Sequence, residues 1–321
     1  MLDPFWDEKG YVTAEEYRRF CNATVPLARM AKMSFTNAED FAAEIEVAHF
    51  GPAPLRGVIP AWAILDGAGK TAWEGTLPKA DVPIDNAVSL GRIEVPLGDV
   101  AQAEKFVLRV TTAGFTNSWD FWVYPAKPAE IAPGNVLIVR SLDDGAWARL
   151  DAGGKVLFCA EKGAIRLEKG GRVALGFSSI FWNTAWTGRQ PPHTLGILCD
   201  PKHPALAEFP TEFHSNWQWW DAMTHGQAMI LDDFGPALTP IIRVIDDWVT
   251  NRSLGLVFEC RVGKGKLLVS SIDLFTGAEA RPEARQLLTS LKKYMAGPAF
   301  DPKFEADPVK LRGLFIAAAA K

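Results

Sequence analysis

Basic residues are not in excess. Lys and Arg number 34 against 38 Asp and Glu in 321 residues, for a formal net charge of -4. No basic stripe runs along any segment, so the chain carries no electrostatic footprint for nucleic acid or anionic lipid. It lacks an apolar run long enough to span a bilayer. The opening Met-Leu-Asp-Pro-Phe-Trp-Asp-Glu-Lys puts charges and a proline where an export signal needs an apolar stretch. A soluble chain without a membrane partner is expected, with no export signal on this chain and no compartment specified. Cysteine is scarce. Cys21, Cys159, Cys199 and Cys260 are far apart, and none forms the C-x-x-C spacing of zinc or redox sites. Cys159 and Cys260 each follow an apolar run, which predicts inert core thiols. Tyrosine is scarce too, 4 against 12 tryptophans, an excess that raises the prospect of a sugar-contacting surface.

A length of 321 residues is more than one hydrophobic core usually fills, so two domains are expected. The spacing predicts a lead-in segment over 1–30, with a short helix at 13–20 capped by Thr13 and Glu16 and closed off by Pro26. Over 31–126 the pattern has period two. Ile45 and Val47 alternate with glutamates, Phe106, Leu108 and Val110 with Lys105 and Arg109, and Trp119, Phe121 and Val123 share one face. Close-set, half-buried strands of this kind predict an antiparallel β-sandwich. Pro125, Pro128 and Pro133 mark a linker. Beyond it, Val136–Val139, Val156–Phe158, Leu254–Phe258 and Leu267–Val269 are nearly continuous apolar runs, which predict a largely parallel sheet in an α/β domain over 127–300. The clearest helix is Pro282–Met295. Residues 301–321 are expected to pack loosely or fray. The expected fold class is therefore multidomain β plus α/β.

The densest chemistry lies in Phe181–Trp186 and in Phe209-Pro-Thr-Glu-Phe-His-Ser-Asn-Trp-Gln-Trp-Trp-Asp221. Indole faces stack on sugar C–H faces while Glu, His and Asn bond hydroxyls, so Trp182, Trp186, Glu212, His214, Trp217, Trp219 and Trp220 are the candidate carbohydrate contacts. The same aromatics would also suit packing against another domain or chain. A nucleophilic Cys199 lacks the glycine-flanked elbow, and the anion beside it would raise its pKa. His193, His203, His214 and Asp221 match no metal-ligand spacing, and no metal or cofactor is expected. Val262-Gly-Lys-Gly-Lys266 lacks phosphate-loop spacing and predicts a tight strand connection. Of the carboxylate pairs that glycoside hydrolysis would need, only Asp246/Asp247 and Glu212/Asp221 are tempting. The adjacent Asp246-Asp247 is better explained as a charged helix start.

The runs FTNSWDFWVYP, ILCDPKHPAL, FPTEFHSNWQWWD, VIDDW and GLVFECRVGKGKLLVSSIDL, in this chain's order, resemble the C-terminal region of a branch of glycoside hydrolase family 2, the β-galactosidase-like proteins with a sugar-binding domain. The resemblance spans essentially the whole chain. It implies an immunoglobulin-like sandwich, and accessory domains that follow a catalytic barrel. The opening LDPFWDEKGYVTAEEYRRFCNATVPL resembles the stretch leaving that barrel. The two catalytic glutamates belong to the barrel, and their motif context does not occur here, so no catalytic residue carries over. The strand pattern also resembles glutamine-amidotransferase-like (flavodoxin-like) domains without the catalytic triad. The expectation is a non-catalytic accessory part with carbohydrate contact. Its partner would be saccharide, a catalytic domain of a parent protein, or a second copy. A pure assembly module and a stand-alone glycosidase are the alternatives.

Overall fold

A computed structural model describes residues 3–131, 134–177, 193–247 and 249–316. The chain divides into two compact units, Met1–Ala126 and Lys127–Lys321, and most of its regular structure is β. No helix among the described residues is long and apolar enough to cross a membrane.

The first unit opens with α1 (Ala14–Arg18). The Thr13 hydroxyl accepts from the Glu16 N–H, and the Glu16 carboxylate accepts from the Thr13 N–H. This reciprocal cap fixes the start of a helix in which no residue is buried. Ten strands follow: β1 (Thr24–Arg29), β2 (Ser34–Thr36), β3 (Asp40–His49), β4 (Leu55–Val58), β5 (Ala61–Leu65), β6 (Thr71–Thr76), β7 (Ala80–Val82), β8 (Asp85–Pro96), β9 (Glu104–Thr112) and β10 (Phe115–Tyr124). They form a sheet of order β1-β3-β8, a second of order β2-β10-β9-β5-β6, and a small β4-β7 pair. Only β2 runs parallel to its neighbour, β10. Alternation decides the faces: Phe41, Ala43, Ile45 and Val47 of β3 are buried, as are Phe106, Leu108 and Val110 of β9 and Phe121 and Val123 of β10. In the core they share, Phe121 stacks on Phe41 at 4.4 Å and on Phe106 at 5.5 Å. Each fully buried side chain of this size contributes about 1.5–3 kcal/mol. Strand β1 lies within the expected lead-in. Pro26 disguised it, yet it sits on the edge of its sheet opposite Val47, where a missing N–H is tolerated.

In the second unit β11 (Val136–Val139), β12 (Lys155–Cys159), β13 (Ile197–Cys199), β14 (Met229–Ile230), β15 (Ile242–Val244), β16 (Leu254–Val262) and β17 (Gly265–Ser270) form one sheet of order β11-β12-β17-β16-β15-β13, with β14 also on β16. The expected largely parallel sheet is corrected to a mixed one. β11, β12 and β17 are parallel, whereas β16, β15 and β13 add antiparallel. The physical reason is the Gly263-Lys264 connection, too short for anything but a hairpin. Gly265 begins β17 where a Cβ would meet the Leu150 backbone at 2.6 Å, so the close approach of β17 to α2 (Asp144–Asp151) requires glycine. α2 joins β11 to β12, is capped by the Asp143 carboxylate, and turns Ala146, Trp147 and Leu150 inward.

The remaining helices are α3 (Trp219–Thr224), α4 (Pro282–Ala296) and α5 (Pro308–Leu314). Helix α4 follows the expected 282–295 span and buries Ala284, Leu287, Leu291 and Met295. The described part of the tail does not fray. Ala306, Leu311, Leu314 and Phe315 are buried, and Phe315 packs edge-on against Phe158 at 4.7 Å. Apolar residues at 311, 314 and 315 give a short helix a core-facing stripe, which anchors it. The alanine run at 317–320 lies outside the described residues. Asp246-Asp247 begins no helix. Asp246 takes the Arg252 guanidinium through two bonds of 2.8 and 2.9 Å, and Asp247 accepts from the Val249 and Thr250 N–H groups. Burial raises the Asp246 carboxyl, but its bonds from Arg252 and two backbone N–H groups outweigh this and hold it below its ordinary value.

Candidate aromatic binding site

The segment from Phe209 to Asp221 is held at both ends by α4. At one end the Ser290 hydroxyl accepts from the Glu208 N–H at 3.1 Å, while Gln286 donates to the Glu208 carbonyl at 2.6 Å. At the other, Arg281 grips the Asp221 carboxylate with Nε–Oδ1 and Nη2–Oδ2 contacts of 2.8 Å and donates to the Thr276 carbonyl at 2.8 Å. Both side chains of this ion pair are shielded, 8% and 15% exposed. Between the clamps, residues 212–214 run along the free edge of β13. The Cys199 N–H donates to the Phe213 carbonyl at 2.9 Å, and Leu198 bridges His214. The segment then turns into α3, with the Asn216 carbonyl accepting from the Trp219 N–H at 2.8 Å.

This path sorts the tryptophans. Trp219 is fully buried, edge-on to Phe209 at 5.1 Å, its Nε1 donating to the Thr211 hydroxyl at 2.8 Å. It offers no face to a ligand, so its expected role as a sugar contact is corrected to that of an anchor. Neighbours on a helix point about 100° apart, so Trp220 turns outward and is 52% exposed, while Trp217 is 50% exposed. Phe177 packs against both, stacked on Trp217 at 5.2 Å and edge-on to Trp220 at 5.5 Å, and the two indoles lie tilted to each other at 6.3 Å. The Ser215 hydroxyl donates to the Phe177 carbonyl beside Gly196, where φ is +107° and a Cβ would lie 2.6 Å from Ser215 Oγ. Glu212 reaches the Asn216 amide at 3.4 Å, and the exposed His214 lies edge-on to Phe213 at 4.8 Å. Glu212, Trp217 and Trp220 therefore belong to one clamped segment, with His214 on its sheet-edge part. Trp182 and Trp186 lie outside the described residues.

Phe177 and Arg281 escaped the sequence pattern. Phe177 lies just before the Phe181–Trp186 run and outside it. Arg281 left one trace: it occupies the cap position of α4, makes no side-chain cap bond there, and stands where Ser, Thr, Asp or Asn would be usual. Other candidate chemistry is structurally engaged. Asp221 is held by Arg281, and Asp246 by Arg252. His203 caps the Ala205 N–H at 3.2 Å, and His193 lies 2.7 Å from the Thr194 carbonyl. Burial pushes the Cys159 and Cys260 thiols up to about 12. Burial, with lesser contributions from Asp200 and Glu212 against a hydrogen bond with Thr211, pushes Cys199 up to about 11. Only Cys21 is exposed among the four. A thiol reagent at about pH 8, close to an ordinary cysteine pKa, is therefore expected to label Cys21 in the folded chain and the other three only on unfolding. Mass spectrometry checks this, and Cys199 labelling as fast as Cys21 would contradict it.

Among solved structures, parts of the chain resemble three enzymes at low scores. A Pseudomonas fluorescens alkylpurine DNA glycosylase is 15% identical over 32% of this chain and 30% of that one, with a TM-score of 0.27. A Parabacteroides merdae β-glucuronidase is 16% identical over 32% of this chain and 13% of that one, TM-score 0.23. A family 123 glycoside hydrolase from Clostridium perfringens is 7% identical over 36% of this chain and 30% of that one, TM-score 0.24. The chain thus covers less than a third of the length of each of them. No curated protein matches its sequence. Residues 39–125 match the family described as domain of unknown function DUF8488. Residues 137–316, more than half of the chain, match the domain of unknown function DUF8487, and the chain belongs to that family.

Proposed function

We propose that the chain is a non-catalytic accessory part of a glycoside hydrolase family 2 protein and contacts carbohydrate through Trp217 and Trp220. One observation carries the reading: two half-exposed indoles, packed on Phe177, stand on a segment clamped at both ends by α4. Rigid aromatic faces beside hydroxyl-bonding groups lower the ordering cost of binding a sugar. Glu212 and His214 are the proposed hydroxyl partners, and Trp182 and Trp186 remain proposed contacts. The finer fold assignments belong to the same proposal. An immunoglobulin-like first unit is supported by its three-stranded and five-stranded sheets around one core. An amidotransferase-like second unit is supported by the parallel β11, β12 and β17 with α2 as crossover.

Incubating the chain with insoluble plant, algal and host polysaccharides, and measuring what stays in solution, tests the reading. Depletion by at least one polysaccharide, with no release of aglycone from aryl glycosides, is expected. Aryl glycoside hydrolysis abolished by Glu212→Gln would replace the reading with a stand-alone glycosidase. Concentration-dependent self-association without depletion would replace it with an assembly module.

A further inference from the structure

A polar groove lies wholly within the first unit, between α1 and the outward side of the β9–β10 hairpin, with a volume of about 620 Å³. Arg18 and Arg19 of the α1 end and Arg109 of β9 line it, and Glu15 is the one carboxylate among the described residues of its lining. No side-chain hydrogen bond or ion pair with a described residue holds any of these three guanidinium groups. Elsewhere in this unit exposed arginines are matched: Arg29 with Glu46, Arg56 with Asp81, and Arg92 with Glu44. Glu16, the nearest further acid of α1, feels Arg19 electrostatically, but its carboxylate is taken up by the Thr13 cap. The strand wall is hydroxylic. Thr111 and Thr116 are opposite one another with hydroxyls 2.9 Å apart, and Ser118 is opposite Arg109.

We infer that this groove binds an acidic saccharide, one bearing a carboxylate or sulfate ester. Guanidinium forks match the planar or trigonal oxygens of such groups, and charge-assisted bonds to them are the strong ones. Hydroxyl walls suit the neutral hydroxyls of the rest of the sugar. Three cations in a bounded groove, on a chain of net charge -4, favour a short ligand with local charge over a long polyanion. The site is independent of Trp217 and stands whether or not the aromatic segment binds sugar.

Calorimetric titration of the full chain with oligogalacturonate, a sulfated galactan oligosaccharide, their neutral counterparts and inorganic sulfate tests it. At least one acidic saccharide is expected to bind. Its affinity should fall about tenfold to a hundredfold in Arg109→Ala, and also as ionic strength rises from about 0.05 to about 0.5 M. Arg18→Ala combined with Arg19→Ala should weaken it likewise, and Trp217→Ala should leave it unchanged. Carboxylated and sulfated ligands distinguish the two sources of charge. Neutral counterparts binding equally well, inorganic sulfate binding as tightly as any saccharide, unchanged affinity in Arg109→Ala, or no binding of either acidic ligand would overturn the inference.

Discussion

Replacing Arg281 by alanine is expected to destabilise the second unit by about 3–5 kcal/mol, the cost of leaving one partner of a shielded ion pair without the other. The Asp221 carboxylate, 15% exposed, would lose its three guanidinium hydrogen bonds, and the Thr276 carbonyl would lose its donor. The His225 ring, 3.3 Å from Asp221 Oδ1, is the remaining nearby cation when protonated, and it is 42% exposed. The denaturant midpoint of the second unit measures the loss. Removing the acid as well, in Arg281→Ala with Asp221→Ala, should recover part of it, because no charge is then stranded. A loss below about 1 kcal/mol, the range of exposed pairs, would mean that Arg281 does not clamp the segment.

Trp219→Ala is expected to cost about 3–5 kcal/mol, as for other large-to-small changes in a packed interior. It removes a fully buried indole, its edge contact with Phe209 and its bond to Thr211. The same truncation at Trp217, half exposed, stacked on Phe177 and tilted against Trp220, should cost about 1 kcal/mol or less. The contrast separates scaffold from surface. Trp219→Ala should lose stability and binding together, whereas Trp217→Ala should lose binding with its unfolding midpoint nearly intact. Equal destabilisation by the two, measured by chemical denaturation, would contradict the division between anchor and exposed face.

Period two made the sandwich faces legible, because the buried Ile45 and Val47 alternate with Glu44 and Glu46, and the buried Leu108 and Val110 flank Arg109. The sheet of the second unit was legible as strands but not in direction. A continuous apolar run such as Leu254–Phe258 says that both faces are covered, and is silent about the neighbour. The directional signal lay in Val262-Gly-Lys-Gly265, since a two-residue connection joins only antiparallel strands. Strand β1 was hidden because proline tolerance depends on being at an edge, which is a tertiary fact. The site was legible as composition: tryptophans, Glu212 and His214 gather in one segment. Composition does not say which indole faces inward. That depends on where α3 begins and on Arg281, sixty residues further along the chain.

Titration of the folded chain with plant, algal and host oligosaccharides, followed by tryptophan fluorescence, tests the central claim most directly. The account predicts a saturable response to at least one ligand class, lost in Trp217→Ala and retained in a control in the first unit such as Trp62→Phe. No response across the panel from a chain with an intact unfolding transition, or an undiminished response in Trp217→Ala, would contradict it.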